Sequence, residues 1–188
     1  MDGNDNGRGK WIEAALAELA AGGIDRVRVE VVAERLGVTK GGFYRRFKDR
    51  RALFNAMLET WSAGRIAVIH QQTVLAGATP RERLQAIVKL YAERVSAQGM
   101  AIELAIRQWA RADRSAATAV ARVDAERLKH VEDLYRKLGL SGEQAHARAI
   151  LFYAFIFGQS LLFLEQPPRK RASLLAACAE TLTDLEAG

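Results

Sequence analysis

A chain of 188 residues, 49% hydrophobic and 27% charged, can form one large domain or two smaller ones, and this composition excludes a disordered protein. Three prolines, long stretches of Ala, Leu, Arg and Glu, and no bounded run of alternating apolar and polar residues argue against a β fold and predict an all-α one. The formal charge of +6 raises the expectation of a polyanionic partner without choosing nucleic acid over a membrane surface.

Residues 1–9 are polar and rich in Gly, Asn and Asp, so a flexible arm is expected there rather than a signal peptide. Trp11, Ile12, Ala15, Leu16, Leu19 and Ala20 then recur at helical spacing, and Gly22-Gly23 supplies a stop. A short second helix is expected over 29–36, ended by Gly37. Thr39 stands as an N-cap for a third, reaching about Phe47, with Phe43 and Phe47 inward at i, i+4. A fourth starts near Asp49, carries Leu53, Phe54, Met57, Leu58 and Trp61, and is expected to stop at Gly77-Ala78.

Thr79-Pro80-Arg81-Glu82 reads as a helix start, with a capping Thr, Pro at N1 and a Glu that closes a capping box. Leu84, Ile87, Val88, Tyr91 and Val95 form the stripe of this fifth helix, and Gln98-Gly99 is expected to punctuate. A sixth helix carries Ile102, Ala105, Ile106 and Trp109, and a seventh spans about 115–138 before Gly139. Ser141-Gly142-Glu143-Gln144 is a second capping box and opens an eighth, expected to last until Pro167-Pro168. A last helix is expected over about 168–186. The single cysteine, Cys178, excludes an intrachain disulfide. The most apolar run, residues 149–164, is 16 residues long and too short for a typical span, so no membrane partner and a cytoplasmic location are expected.

The charge is local. Between Arg35 and Arg51 there are seven basic residues (Arg35, Lys40, Arg45, Arg46, Lys48, Arg50, Arg51) against Asp49 alone, which accounts for the whole +6. The same stretch has the requirements of a helix-turn-helix. Ala33 is small where a second helix must cross the first, and Gly37 tolerates the φ > 0 that the turn needs. Val32, Leu36, Val38 and Phe43 fall where the seam must be plugged. The second helix of such a motif enters the DNA major groove. Its outward positions here are Thr39, Lys40, Gly41, Gly42, Tyr44, Arg45 and Arg46. Two glycines in a helix cost about 1 kcal/mol each relative to alanine. A loop is the plain reading, but Phe43 and Phe47 keep helical register through them. Glycines there would let the backbone approach DNA closely.

Gly23-Ile24-Asp25 together with Val29 through Arg50 resembles the DNA-binding domain of the TetR (tetracycline repressor) family. The hallmark is an Ala-x-x-x-Gly-Val-Ser/Thr turn, then Gly-x-Phe/Leu-Tyr-x-x-Phe, then Lys and a leucine-bearing fourth helix. Ala33, Gly37, Val38, Thr39, Gly41, Phe43, Tyr44, Phe47, Lys48 and Leu53 match it at the right spacing. The resemblance implies that Thr39 and Lys40 contact phosphate or base edges, that the Tyr44 hydroxyl donates to a phosphate, and that Lys48 clamps the backbone. Two positions depart from the pattern. Arg28 stands where many members have Thr or Ser, losing a cap and adding a possible phosphate ligand. Arg46 replaces His or Tyr, which makes that contact cationic and more salt-sensitive.

The expected organisation is therefore an arm (1–9), a helix-turn-helix domain (10–55) and a helical regulatory and dimerisation domain (56–188). The resemblance implies a ligand cavity in the latter and a homodimer interface made by its last two helices, about residues 141–186. The segment from Ala149 to Gly158 is apolar around its circumference and must be covered on more than one side. Trp61, Tyr91, Met100, Trp109 and Phe152 are candidate lining residues for a small-molecule effector, against ordinary core packing; Glu103, Arg107 and Gln108 could orient a polar group or face solvent. The function expected is a dimeric regulator, a repressor by family default, released from a palindromic operator by an effector that the sequence does not identify. The alternative is a helical interaction module whose basic segment binds an acidic partner. An enzyme is not expected: His70, His130 and His146 share no helical turn, there is no His-Glu-x-x-His pattern and no phosphate loop, so no catalytic residue, metal or cofactor is assigned.

Overall fold

The computed structural model describes residues 3–72, 79–93, 97–162 and 167–184. Every regular element within them is helical: α1 (Gly3–Gly22), a 3-10 turn (Ile24–Arg26), α2 (Val29–Leu36), α3 (Gly41–Tyr44), α4 (Arg50–Gln72), α5 (Pro80–Glu93), α6 (Ala97–Ala110), α7 (Arg114–Lys137), α8 (Gly142–Leu161) and α9 (Pro168–Thr183). The fold is all-α, as its composition requires. The helices form two compact units, Met1–Arg65 with Ala97–Val123, and Ile66–Ser96 with Asp124–Gly188. None of the described helices is long and apolar enough to cross a membrane.

In the first unit α1 packs against α2, the 3-10 turn and α6. Its stripe of Trp11, Ile12, Ala15 and Leu19 is buried, together with Val32 and Ala33 of α2, Phe43 of α3, and Leu53, Met57 and Trp61 of α4. Burial of each large side chain contributes about 1.5–3 kcal/mol. Phe43 is the hub of this packing, with its ring 5.5 Å from Trp11 and 5.4 Å from Phe47. Helix α1 starts at Gly3, where a flexible arm through residue 9 was expected. The added turns have tertiary partners: the Arg8 guanidinium lies 5.0 Å over the Phe47 ring, and a Cβ on Gly7 would stand 2.5 Å from the Arg46 guanidinium.

In the second unit Leu84, Ile87 and Val88 of α5 meet Val131, Leu134 and Tyr135 of α7, Ala149, Phe152, Tyr153 and Ile156 of α8, and Ala179 of α9. Tyr135 is fully buried, and its hydroxyl donates to the Leu182 carbonyl at 2.8 Å. Both capping boxes form. Thr79 N–H donates to Glu82 Oε2 at 2.7 Å while Glu82 N–H donates to Thr79 Oγ1, and Ser141 and Gln144 make the equivalent pair.

Three expected boundaries shift. Gln98-Gly99 lies inside α6, where the Gly99 carbonyl accepts a hydrogen bond from Arg65 at 3.0 Å. Helix α8 stops at Leu161 instead of continuing to Pro167, since Leu162 turns extended (φ −84°, ψ 128°). Helix α3 is shorter at both ends than the expected 39–47, and Lys40, not Thr39, is its N-cap, with no side-chain cap bond. Gly77-Ala78, Val95 and the expected end of the last helix beyond 184 lie outside the described residues.

Candidate nucleic-acid interface

Two short helices and a tight turn build the site. Helix α2 ends at Gly37, which adopts the left-handed conformation (φ 65°, ψ 32°), and the N–H groups of Gly37 and Val38 return to the carbonyls of Glu34 and Ala33. That reversal brings α3 against α2, and Ala33 of α2 is 3% exposed. Of the expected seam residues, Val32 and Phe43 are buried and Leu36 is half-buried, but Val38 is 47% exposed and does not plug the seam. Gly41 and Gly42 are helical and not a loop. A Cβ on either would find ordinary van der Waals contact, 3.7 Å from Thr39 Oγ1 and 3.8 Å from Trp11 Cζ2, so packing within the chain does not demand glycine.

A largely buried carboxylate fixes the motif from behind. Glu18 of α1, 3% exposed, accepts from Arg26 Nε at 2.5 Å and from Arg35 at 2.7 Å. Burial pushes its pKa up, but the hydrogen bonds and charges of the two arginines outweigh that and hold it below the usual carboxylate range. Arg50, at the start of α4, donates to the carbonyls of Val27 at 2.9 Å and Ile24 at 3.1 Å and lies over the Phe54 ring. Arg51 donates to Asp113 at 2.7 Å and to Ser115. These two cations are therefore engaged by the fold, although composition alone counts them with the basic stretch.

The sequence-predicted contact residues divide in two. Arg28, Thr39, Lys40, Gly41, Tyr44, Arg45 and Lys48 are exposed, and Gly42 is half-buried. Arg28 is the N-cap of α2 and makes no side-chain cap bond, as its departure from Ser or Thr implies. Tyr44 is 65% exposed, with its ring edge 5.1 Å from Phe43. Arg46 is different. It is half-buried, donates to the Gly42 carbonyl at 2.9 Å, and has its Nε buried with no hydrogen-bond partner among the described residues. Its guanidinium forms one wall of a cavity of about 410 Å³ between α1 and the motif, beside Gly7, Lys10, Trp11 and Val38.

Sequence reasoning missed Glu30. Its carboxylate sits 2.7 Å from the Lys40 ammonium, and both side chains are more than half exposed. Nothing in the residue pattern marks this pair, because its members are ten positions apart on separate helices.

The candidate effector residues are packed within their own units. Trp61 (5% exposed), Trp109 (6%) and half-buried Met100 belong to the first, where the Trp109 ring edge meets Phe54 at 5.2 Å. Phe152 is fully buried in the core of the second, with Tyr91 packed against that core. Glu103 does not face solvent: it is 2% exposed and paired with Arg107 at 3.0 Å and Arg65 at 3.3 Å, while Gln108 is exposed. His146 pairs with Glu132 at 3.0 Å and His70 with Glu126 at 3.5 Å. Burial lowers the pKa of His130.

Residues 12–57 match the family model described as bacterial regulatory proteins, tetR family. The chain is 28% identical over 137 residues to the HTH-type transcriptional repressor KstR of Mycobacterium tuberculosis, covering 72% of this chain and 60% of that relative's length. In fold it is similar to a transcriptional regulator from Rhodococcus sp. Rha1 (TM-score 0.76, 19% identity, 94% of this chain and 93% of that one). It is also similar to a TetR-family transcriptional regulator from Bordetella parapertussis 12822 (TM-score 0.72, 20% identity, 94% of each chain).

Proposed function

We propose, from the match of residues 12–57 to the tetR family of bacterial regulatory proteins and the similarity to the repressor KstR, that the chain is a homodimeric transcriptional repressor of that family that binds an inverted repeat and is released by a small molecule. The observation that carries this reading is the exposed row Arg28, Thr39, Lys40, Tyr44, Arg45 and Lys48 on a helix-turn-helix whose Phe43 and Phe47 are buried. The Tyr44 ring, 65% exposed, leaves its hydroxyl accessible to a phosphate on the same face as these cations.

In the complex, Lys40 and Thr39 open the reading helix against base edges, and Gly41-Gly42 lets its backbone close on the duplex. Tyr44, Lys48 and Arg28 hold phosphates, and these contacts set register rather than sequence preference. Arg46 holds the Gly42 carbonyl through Nη1, and a phosphate would engage the other donors of its guanidinium. Residues 10–55 act as the reading head and 56–188 as the regulatory and dimerising part.

Dimerisation is supported by α8. Ala149, Phe152, Tyr153 and Ile156 fill the second unit's core, yet Ile150, Leu151 and Leu161 are 48%, 61% and 60% exposed on the same helix, and Leu174 of α9 is 44% exposed. Such a surface suits an isologous interface, which would place two reading heads about a two-fold axis. An effector that favours a helix arrangement with mis-spaced heads weakens DNA binding by the same coupling free energy. Trp61, Met100 and Trp109, or Tyr91 and Phe152, are the side chains it would have to displace.

The test is selection of random duplexes by the purified protein, followed by anisotropy titration of the selected duplex at several salt concentrations. One enriched inverted repeat, bound by a dimer with a steep salt slope, is expected. No enriched sequence would remove the operator-reading function.

A further inference from the structure

Glu30 lies in the first turn of α2 and Lys40 at the N-cap of α3, so the turn of the motif brings a carboxylate and an ammonium together on its exposed corner, 2.7 Å apart. Arg28 stands two residues before Glu30, and its positive charge also bears on the carboxylate. Two cations assigned to DNA thus share one anion that would itself repel phosphate. The fold has little use for this pair: with side chains 59% and 57% exposed it belongs to a class that stabilises proteins weakly.

We propose that Glu30 is a specificity-determining residue that withholds the Lys40 ammonium from phosphates and positions it for base edges. The inference rests on the DNA-reading function proposed above. An ammonium has three donors. One is committed to Glu30, and the others remain available to neutral acceptors such as guanine O6 and N7 in the major groove. A base edge can therefore be met with the ion pair intact. A phosphate must compete with the carboxylate for the same charge and is repelled by it, so sequence-independent binding is the mode that Glu30 weakens.

The experiment compares wild type, Glu30→Gln, Glu30→Asp, Lys40→Met and the Glu30→Gln/Lys40→Met double variant. Each is titrated, across salt, with the duplex that the wild type enriches and with a scrambled duplex of the same length and composition. Glu30→Gln is expected to tighten the scrambled duplex about two- to fivefold and to steepen its salt dependence by roughly one ion. The enriched duplex gains less, so the ratio between the two falls. Glu30→Asp keeps the charge and is expected to preserve the ratio. With Lys40→Met in place, Glu30→Gln is expected to leave the ratio unmoved, because the pair is already broken. Equal tightening of both duplexes, or a changed ratio that persists without Lys40, would overturn the proposal while leaving the regulator intact. A wild-type protein that enriches no duplex would overturn both.

Discussion

Glu18 is nearly excluded from water and accepts from two arginines that are themselves about half exposed, 53% for Arg26 and 48% for Arg35. Its replacement by Gln leaves hydrogen-bonding capacity but no charge, and is expected to lower stability by about 1–2 kcal/mol, a charge-assisted bond discounted for the arginines' contact with solvent. The pH dependence follows from the direction of its shift. A folded pKa held below the ordinary 4.5 contributes stability that is complete above that value and is lost as pH falls through the folded one. Thermal unfolding followed from neutral pH downwards should show the wild type losing its advantage over Glu18→Gln below about pH 4.5; parallel curves would mean the carboxylate is not held as described. Tyr44 supports the complementary experiment. With the ring 65% exposed, Tyr44→Phe should melt like the wild type, yet bind the selected duplex about three- to tenfold more weakly, the worth of one hydroxyl to phosphate. Unchanged affinity would remove the hydroxyl from the contact.

Among the elements, the turn at Gly37 is the most demanding. A Cβ there meets nothing within 4 Å, so the cost of Gly37→Ala is the left-handed φ of 65° alone. About 1–2 kcal/mol is expected, with Asn costing less. Denaturant titration of the three proteins should rank them Gly, Asn, Ala; an Ala variant as stable as wild type would mean that the turn relaxes without loss. This element was legible in the sequence because its signal is local, as were the boxes at Thr79–Glu82 and Ser141–Gln144 and the i, i+4 pair of Phe43 and Phe47. What the sequence concealed depends on contacts between elements. Helix α1 reaches back to Gly3, against its composition, and there Arg8 lies over the Phe47 ring. The brief α3 lacks the expected Thr39 cap. Arg46 reads in the sequence as an outward charge, yet it is half-buried and donates to the Gly42 carbonyl, and Arg50, one cation of the basic stretch, is exposed but engaged by the Val27 carbonyl. Charge type can be read from one residue, but the direction a long side chain takes is set by carbonyls and rings that only the fold supplies.

For the whole molecule, the central question is what covers α8. Its inward row is a finished core, and its outer row of Ile150, Leu151 and Leu161 is as apolar but roughly half or more in water, a disposition that is unfavourable for a lone protomer and suited to a self-complementary interface. Leu151 is the informative position because, at 61% exposed, it contributes little to its own core. Leu151→Glu should therefore leave the helical spectrum unchanged while placing a carboxylate from each protomer into an apolar contact, a burial costly for an unpaired charge. Sedimentation velocity is expected to show a wild-type dimer and a variant whose dissociation constant is at least about tenfold higher, since a tenfold change corresponds to about 1.4 kcal/mol. On the proposed dimer, two heads joined by that interface would read two half-sites, so the variant should also lose affinity for the full inverted repeat while keeping its weak binding to a single half-site. A variant that remains fully dimeric would place the interface elsewhere. A wild type that sediments as a monomer both free and on DNA would remove the dimer, and with it the reason for a palindromic operator.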